Sequence, residues 1–181
     1  LTDVKGMEKL TQLEKLVLQN NQLTEFPKGL ENLTELTFLN LYDNQLTDVK
    51  GLEKLTQLKL LHLGANQLTK VPKELEKLTK LKELWLSRNQ LTSVKGLEKL
   101  TQLEVLYLGW NQLTDVKGLE KLDQLEVLYL RNNQLTSVKR LEKLDQLKSL
   151  YLVDNPDLTK TQIDQLQKAL PKCTIHSNPT K

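Results

Sequence analysis

The stretch LTSVKGLEKLTQLEVLYLGWNQ at residues 91–112 contains a pattern that recurs along nearly the whole chain. Each copy reads Leu-Thr-x-Val, then x-x-Leu-x-x-Leu, then Leu-x-x-Leu-x-Leu-x-x-Asn, with a period of 22 or 23 residues. The copies begin at Leu1, Leu23, Leu46, Leu68, Leu91, Leu113, Leu135 and Leu158. A fixed period of this size predicts a solenoid, in which each unit packs mainly against its two neighbours.

The alternation of residue types within one unit predicts where its parts lie. Residues 106–108 place Tyr107 between two leucines, which is the period-two pattern of a short strand with one buried face. Strands of successive units should therefore stack in parallel, with the leucines in the core and the intervening residues in solvent. The Leu-x-x-Leu spacing in GLEKL, residues 96–100, suits a short 3₁₀ or helical turn on the opposite side.

An asparagine follows the strand segment of every unit, at the point where the chain must bend into the core. An amide side chain both donates and accepts hydrogen bonds, so it can pair with backbone groups that the bend leaves without partners. We therefore interpret this column as structural rather than as a row of ligand contacts. Its members are Asn21, Asn44, Asn66, Asn89, Asn111, Asn133 and Asn155.

These features resemble the leucine-rich repeat, and the 22- and 23-residue units are similar to bacterial short repeats of the internalin type. The resemblance covers residues 1 to about 158. It implies an α/β solenoid of horseshoe shape, with a parallel concave β-sheet and short 3₁₀ or helical convex turns. The units that begin at Leu23 and Leu68 carry an extra residue and a proline, in FPKGL and VPKEL.

The repeat pattern breaks after Asn155. The segment that follows predicts a helix over residues 161–170, because Ile163 and Leu166 lie on one apolar stripe and Pro171 ends it. A last strand at residues 173–175 would complete the sheet. These two elements resemble the C-terminal caps of bacterial leucine-rich-repeat proteins.

We therefore divide the chain into seven leucine-rich repeats, residues 1–157, and a C-terminal helix–strand cap and tail, residues 158–181. Cys173 should pack in this cap as a small apolar residue. At the other end, we expect an uncovered edge that an upstream cap, further repeats or a second copy of the chain would shield. The leucines expected at that edge are Leu10, Leu13, Leu16 and Leu18.

Function in a repeat array is expected at the positions that vary, here the outward residues of the strands. The chain has two Trp, four Tyr and two Phe, and of these only Phe26 sits at a core position. Tyr, Trp and Arg dominate binding hot spots because they combine large contact area with a polar group. The candidate partner-binding residues are Phe38, Tyr42, His62, Trp85, Arg88, Tyr107, Trp110, Tyr129, Arg131 and Tyr151.

The outward position equivalent to Tyr107, between two leucines of the strand segment, holds an aromatic residue in four consecutive units. A strand spacing of about 4.8 Å predicts a ladder of rings roughly 15 Å long. Val105 and Val127 flank this ladder, so the centre of the surface is apolar and its rim charged, as in protein interfaces. Lateral stacking that merely stabilises the sheet remains an alternative for these rings. The four are Trp85, Tyr107, Tyr129 and Tyr151.

Charge and composition argue against several other classes of function. The net charge of +3 comes from interspersed Lys and Glu rather than a basic patch, so no nucleic-acid partner is expected. The chain contains no apolar run of the roughly 20 residues that span a membrane. His62 and His176 are far apart in the sequence and lack metal-ligand spacing, and glycine-rich phosphate loops are absent. We expect no metal, no cofactor and no enzymatic activity.

The sequence thus predicts a non-catalytic protein–protein interaction module that binds its partner on the concave sheet face. A glycan-binding repeat protein is an alternative, because exposed rings stack on sugars. A structural role, with self-association through the uncovered N-terminal edge, and an engineered scaffold without an evolved ligand are others. The resemblance implies a bacterial cell-surface or secreted protein.

Overall fold

The computed structural model describes residues 4–178, which form one open sheet of eight parallel strands in chain order. Each strand is three residues long and pairs in register with the next. The strands are β1 (Lys15–Val17), β2 (Phe38–Asn40), β3 (Leu60–His62), β4 (Glu83–Trp85), β5 (Val105–Tyr107), β6 (Val127–Tyr129), β7 (Ser149–Tyr151) and β8 (Thr174–His176). The predicted α/β solenoid with a parallel sheet is confirmed.

The core is a stack of leucines enclosed by the sheet and the turns. The central residues of successive strands point inward, so Leu84, Leu106 and Leu128 follow one another in register with no exposed surface. Phe26 is also buried in this core, as predicted. Because one side-chain shape fills every level of the core, residues on the outer face of the strands can vary without disturbing the packing.

Seven 3₁₀ turns connect the units on the other side of the core, within the described residues. Where a glycine precedes the turn, as at Gly51 with a φ of 108°, its N–H donates to the carboxylate of the glutamate two residues later. The two turns that no glycine precedes have five residues, and the other turns have three. Turn length therefore follows the presence of the glycine and not that of the proline or the extra residue. The turns are Met7–Lys9, Leu30–Asn32, Leu52–Lys54, Lys73–Lys77, Leu97–Lys99, Leu119–Lys121 and Lys139–Lys143.

The asparagine column connects each unit to the ones beside it. The Asn111 side chain donates to the carbonyl oxygens of Leu86 and Leu108, both at 3.0 Å, and its Oδ1 accepts from the N–H of Leu91 at 3.0 Å. The equivalent asparagines from Asn44 to Asn155 repeat these bonds. The predicted structural role of this column is confirmed.

The C-terminal cap contains the predicted helix and strand, each displaced by one residue. Helix α1 (Lys160–Ala169) begins after a capping box, in which the Thr159 hydroxyl accepts from the N–H of Gln162 and the Gln162 side chain accepts from the N–H of Thr159. Strand β8 starts at Thr174 rather than Cys173, because Ile175 aligns with the inward Leu150 of β7. Cys173 is buried, as expected, and burial raises the pKa of its thiol.

The N-terminal edge is less exposed than the sequence predicts. Leu10 is 49% exposed and Leu13 is half-buried, but Leu16 and Leu18 are only 7% and 5% exposed. The prediction for these two was wrong, because both are buried in the common core, which also includes Val4. No helix in residues 4–178 has the length and apolar content needed to cross a membrane.

Candidate functional site

The last residue of each strand from β3 to β8 points outward and carries a ring. These six rings form one continuous stack, which we call the aromatic ladder. Adjacent ring centroids lie 4.1–4.4 Å apart. The spacing arises because in-register parallel strands place equivalent side chains about 4.8 Å apart, close to the separation of stacked rings. The members are His62, Trp85, Tyr107, Tyr129, Tyr151 and His176.

The last ring of the ladder was not predicted from the sequence. His176 stacks on Tyr151 with 7° between the ring planes, because β8 pairs Tyr151 with His176. The predicted strand at residues 173–175 ended one residue too early to include it. The sequence did contain a signal for this residue. In a strand, Cys173 and Ile175 share the inward face, so residue 176 must point outward.

The ladder presents the edges of its rings rather than their faces. Each inner ring is covered by a neighbour on both sides, and Phe38 closes the far end with an edge-on contact to His62 at 5.7 Å. The first five rings are accordingly half-buried, although they lie on the outer face of the sheet, whereas His176 at the end of the row is exposed. This stacking holds them rigidly in one row.

Polar atoms along the ladder are partly connected to one another. The indole N–H of Trp85 donates to a carboxylate oxygen of Glu83 at 2.6 Å. Burial, together with hydrogen bonds to the hydroxyls of Tyr151 and Tyr107, raises the pKa of Tyr129, and burial raises the pKa of Tyr107. These phenols therefore stay protonated at neutral pH, and the exposed edge of the ladder carries hydroxyl groups instead of phenolate charge.

His62 is the most restricted polar residue of the ladder. Its ring lies between Phe38 and Trp85, and its Nε2 is buried without a hydrogen-bond partner. Burial lowers the pKa of His62, while the nearby Glu83 carboxylate opposes that effect. The imidazole is therefore predominantly neutral at pH 7.

Acidification should destabilise the protein partly through His62. Because the folded pKa lies below the unfolded value of about 6.5, the unfolded chain binds the proton more readily. His62 therefore lowers stability as the pH falls through about 6.5, until the pH passes the folded pKa. We expect the melting temperature to drop more between about pH 8 and about pH 5 in the wild type than in His62→Phe, which keeps a ring. Equal drops in the two proteins would contradict this.

A second cluster lies beside the ladder, at the carboxyl-terminal ends of β4 to β6. The guanidinium carbons of Arg88 and Arg131 lie 4.9 and 4.3 Å from the centroid of the Trp110 ring, within the range of cation–π contacts. We call these three residues the rim cluster. Trp110 is 39% exposed, so the cluster lies open to solvent.

Gly109 makes room for this arrangement. A Cβ atom at position 109 would come within 3.1 Å of Arg131 Cγ and 3.2 Å of its backbone oxygen, so any larger residue would require Arg131 to shift. In that position Arg131 Nε is buried without a hydrogen-bond partner. The contact with Trp110 therefore holds Arg131 in place although one of its N–H groups has no acceptor.

The ten residues predicted for the site fall into three groups. Five belong to the ladder and Phe38 closes its end, whereas Arg88, Trp110 and Arg131 form the rim cluster. Tyr42 lies apart, packed over Gly64, where a Cβ would come within 3.1 Å of its ring. In residues 4–178 no three His, Cys, Asp or Glu side chains are close enough together to hold a metal ion.

Comparisons with known sequences agree with this geometry. The family described as a leucine-rich repeat region matches residues 1–117, and a family of two leucine-rich-repeat copies matches residues 123–171. No curated protein matches the chain.

Solved structures show the same solenoid. A leucine-rich-repeat protein of Leptospira interrogans is 33% identical, with a TM-score of 0.76 over 93% of this chain and 50% of its own. An internalin (inlF) of Listeria monocytogenes is 26% identical, with a TM-score of 0.78 over 99% of this chain and 60% of its own. Internalin C2 of the same organism is 27% identical, with a TM-score of 0.71 over 93% of this chain and 83% of its own.

This chain thus spans half the length of the Leptospira protein and 60% of the first internalin. The family match extends over more than half of the chain, and the three solved structures have TM-scores of 0.71–0.78 to it. The chain therefore belongs to the leucine-rich-repeat family, as a bacterial protein of the internalin type.

Proposed function

We propose that this protein is a non-catalytic interaction module that binds a partner protein on the outer face of its sheet, over the aromatic ladder and the rim cluster. Leucine-rich repeats generally bind proteins and are typically non-catalytic. The observation that carries the proposal for this face is the unbroken row of six rings beside two arginines on an exposed tryptophan.

The composition of the face supports a protein partner. Val105 and Val127 are neighbours in register next to the ladder, so the centre of the face is apolar, and the arginines lie at its rim. This is the usual anatomy of a protein interface. The stacked rings are already ordered, so binding would cost little side-chain entropy.

The geometry of the rings favours a protein over a glycan. Sugars stack on the open face of an aromatic ring, but the faces within the ladder are occupied by neighbouring rings at 4.1–4.4 Å. Trp110 likewise has two guanidinium groups over its ring. The edges and hydroxyls that remain exposed suit the side chains and backbone of a polypeptide.

A variant that changes the face without breaking the ladder tests the proposal. Alanine at Trp85 or Tyr107 would remove stacking contacts worth about 1 kcal/mol each, so lost binding and lost stability would be confused. Val105→Lys with Val127→Glu instead adds an opposite-charge pair at adjacent register positions. Partner proteins captured from extracts of the source bacterium or its host should be depleted about tenfold or more by this variant, as measured by quantitative mass spectrometry.

A matched control carries the same charges on the other side of the solenoid. Thr92→Lys with Thr114→Glu uses two exposed, equivalent positions, and Thr92 borders the same groove as Gly96 and Glu98 at a 3₁₀ turn. This control should capture the same proteins as the wild type. Equal capture by all three proteins would refute binding on the strand face. Glycan-array binding lost only in the strand-face variant would favour a sugar ligand instead.

A further inference from the structure

We infer that the rim cluster is a receptor for a carboxylate, supplied by an acidic side chain in the bound segment of the partner protein. This inference rests on the proposed function and specifies the chemistry of the partner. It assigns to Arg88 and Arg131 the capture of the carboxylate and to Trp110 the positioning of both guanidinium groups.

The first support is that these two cations lack counterions. Arg140 pairs with Glu120 at 3.1 Å, and Lys82 and Lys148 pair with glutamates at 2.7 Å. Neither Arg88 nor Arg131 forms an ion pair in the described part of the chain. Both guanidinium groups nevertheless lie within 5 Å of the same ring centroid, so the two positive charges are less than 10 Å apart. An anion that contacts the free edges of both groups would relieve their repulsion.

The second support comes from the backbone. Arg88 and Trp110 occupy the position just before the column asparagine, where all seven described units have a φ between 51° and 60°. Asn and Asp tolerate this left-handed conformation best, and four units have one of them there. Large side chains in two successive units are a less favourable choice for the fold, so a role in binding explains them better than packing does.

The third support is the match between guanidinium and carboxylate. An arginine donates two parallel hydrogen bonds to one carboxylate, and a flat ring against the guanidinium leaves its outer edge free for that contact. Gly109 leaves room for Arg131 to lie there. Nucleic acid fits less well, because its affinity requires many phosphate contacts and the surrounding charges are mixed. The neighbouring ladder edge and valines would accept the apolar residues of the same peptide segment.

The test uses a random peptide display library, selected separately on the wild type and on Arg88→Gln with Arg131→Gln. Peptides from the wild type should carry Asp or Glu next to an apolar residue, and the double variant should not enrich them. For a selected peptide, changing that Asp to Asn should weaken binding to the wild type about tenfold or more, as measured by fluorescence polarisation. Binding should also weaken as salt is added.

Further variants keep each outcome decisive. Arg88→Lys with Arg131→Lys keeps the charges but loses the bidentate geometry, and should bind with intermediate affinity. Selected peptides that lose binding to the Val105→Lys, Val127→Glu variant but show no preference for acidic residues would overturn the carboxylate site and leave the proposed function intact. Peptides that bind the wild type, the strand-face variant and the rim variant equally well would overturn both the carboxylate site and the proposed function. Circular dichroism confirms that every variant is folded.

Discussion

Replacing Asn111 with alanine should lower the free energy of unfolding by roughly 2–4 kcal/mol. The side chain is buried, and its bonds to Leu86, Leu91 and Leu108 reach both its own unit and the preceding one. Alanine would leave the buried N–H of Leu91 without its acceptor, and the carbonyl oxygens of Leu86 and Leu108 would each lose one of two asparagine donors. Urea unfolding followed by circular dichroism measures the change.

The neighbouring Gln112 provides the matched control. It is exposed, and its backbone N–H donates to the carbonyl oxygen of Leu91 whatever its side chain. Gln112→Ala should therefore change the free energy of unfolding by less than about 0.5 kcal/mol. If Asn111→Ala proved as mild as Gln112→Ala, the asparagine column could not be what joins successive units.

The second large effect is expected at the centre of the leucine core. Leu106→Ala should cost about 2–5 kcal/mol, because Leu106 is completely buried between Leu84 and Leu128 and the flanking units limit collapse around the cavity. Since Tyr107 follows it in the same strand, the near-ultraviolet circular dichroism of the stacked rings should weaken as well. Urea unfolding, monitored in parallel by far- and near-ultraviolet signals, measures both consequences.

Two further substitutions separate lost volume from general damage. Leu106→Met nearly conserves volume and should cost less than about 1.5 kcal/mol. Leu10→Ala, at a leucine that is 49% exposed, should cost less than the cavity at Leu106. A Leu106→Ala protein as stable as Leu10→Ala would show that the core tolerates loose packing.

Most of the candidate site follows from the repeat pattern, because a period of 22 or 23 residues assigns every position to a column. The outward placement of Trp85, Tyr107, Tyr129 and Tyr151 is predicted in this way. For the rim cluster, the repeat pattern predicts the positions of the residues but not their contacts. The sequence places Arg88, Trp110 and Arg131 near the ends of the strands, but their mutual contacts depend on side-chain conformations and on the space beside Gly109.

The place of His176 and the burial of Leu16 and Leu18 depended on packing at the two ends of the described sheet. The register of β8 is set by how α1 and Cys173 pack against the last repeat, and a shift of one residue exchanges the two faces of a strand. At the other end, Leu16 and Leu18 belong to the same buried core as the leucines of the following units. The segment after Asn155 does not repeat the preceding units, so the period carries no information about the register of β8.

The amino-acid sequence by itself determined the solenoid, the inward leucines, the structural asparagines and the outward rings, because regular spacing along a chain becomes regular stacking in space. Only the tertiary structure decided that the rings cover one another's faces, that His176 extends their row, and that two arginines share one indole without a counterion. These features depend on distances between side chains of different units. Such distances are set by strand register and packing, which a single chain's periodicity does not specify.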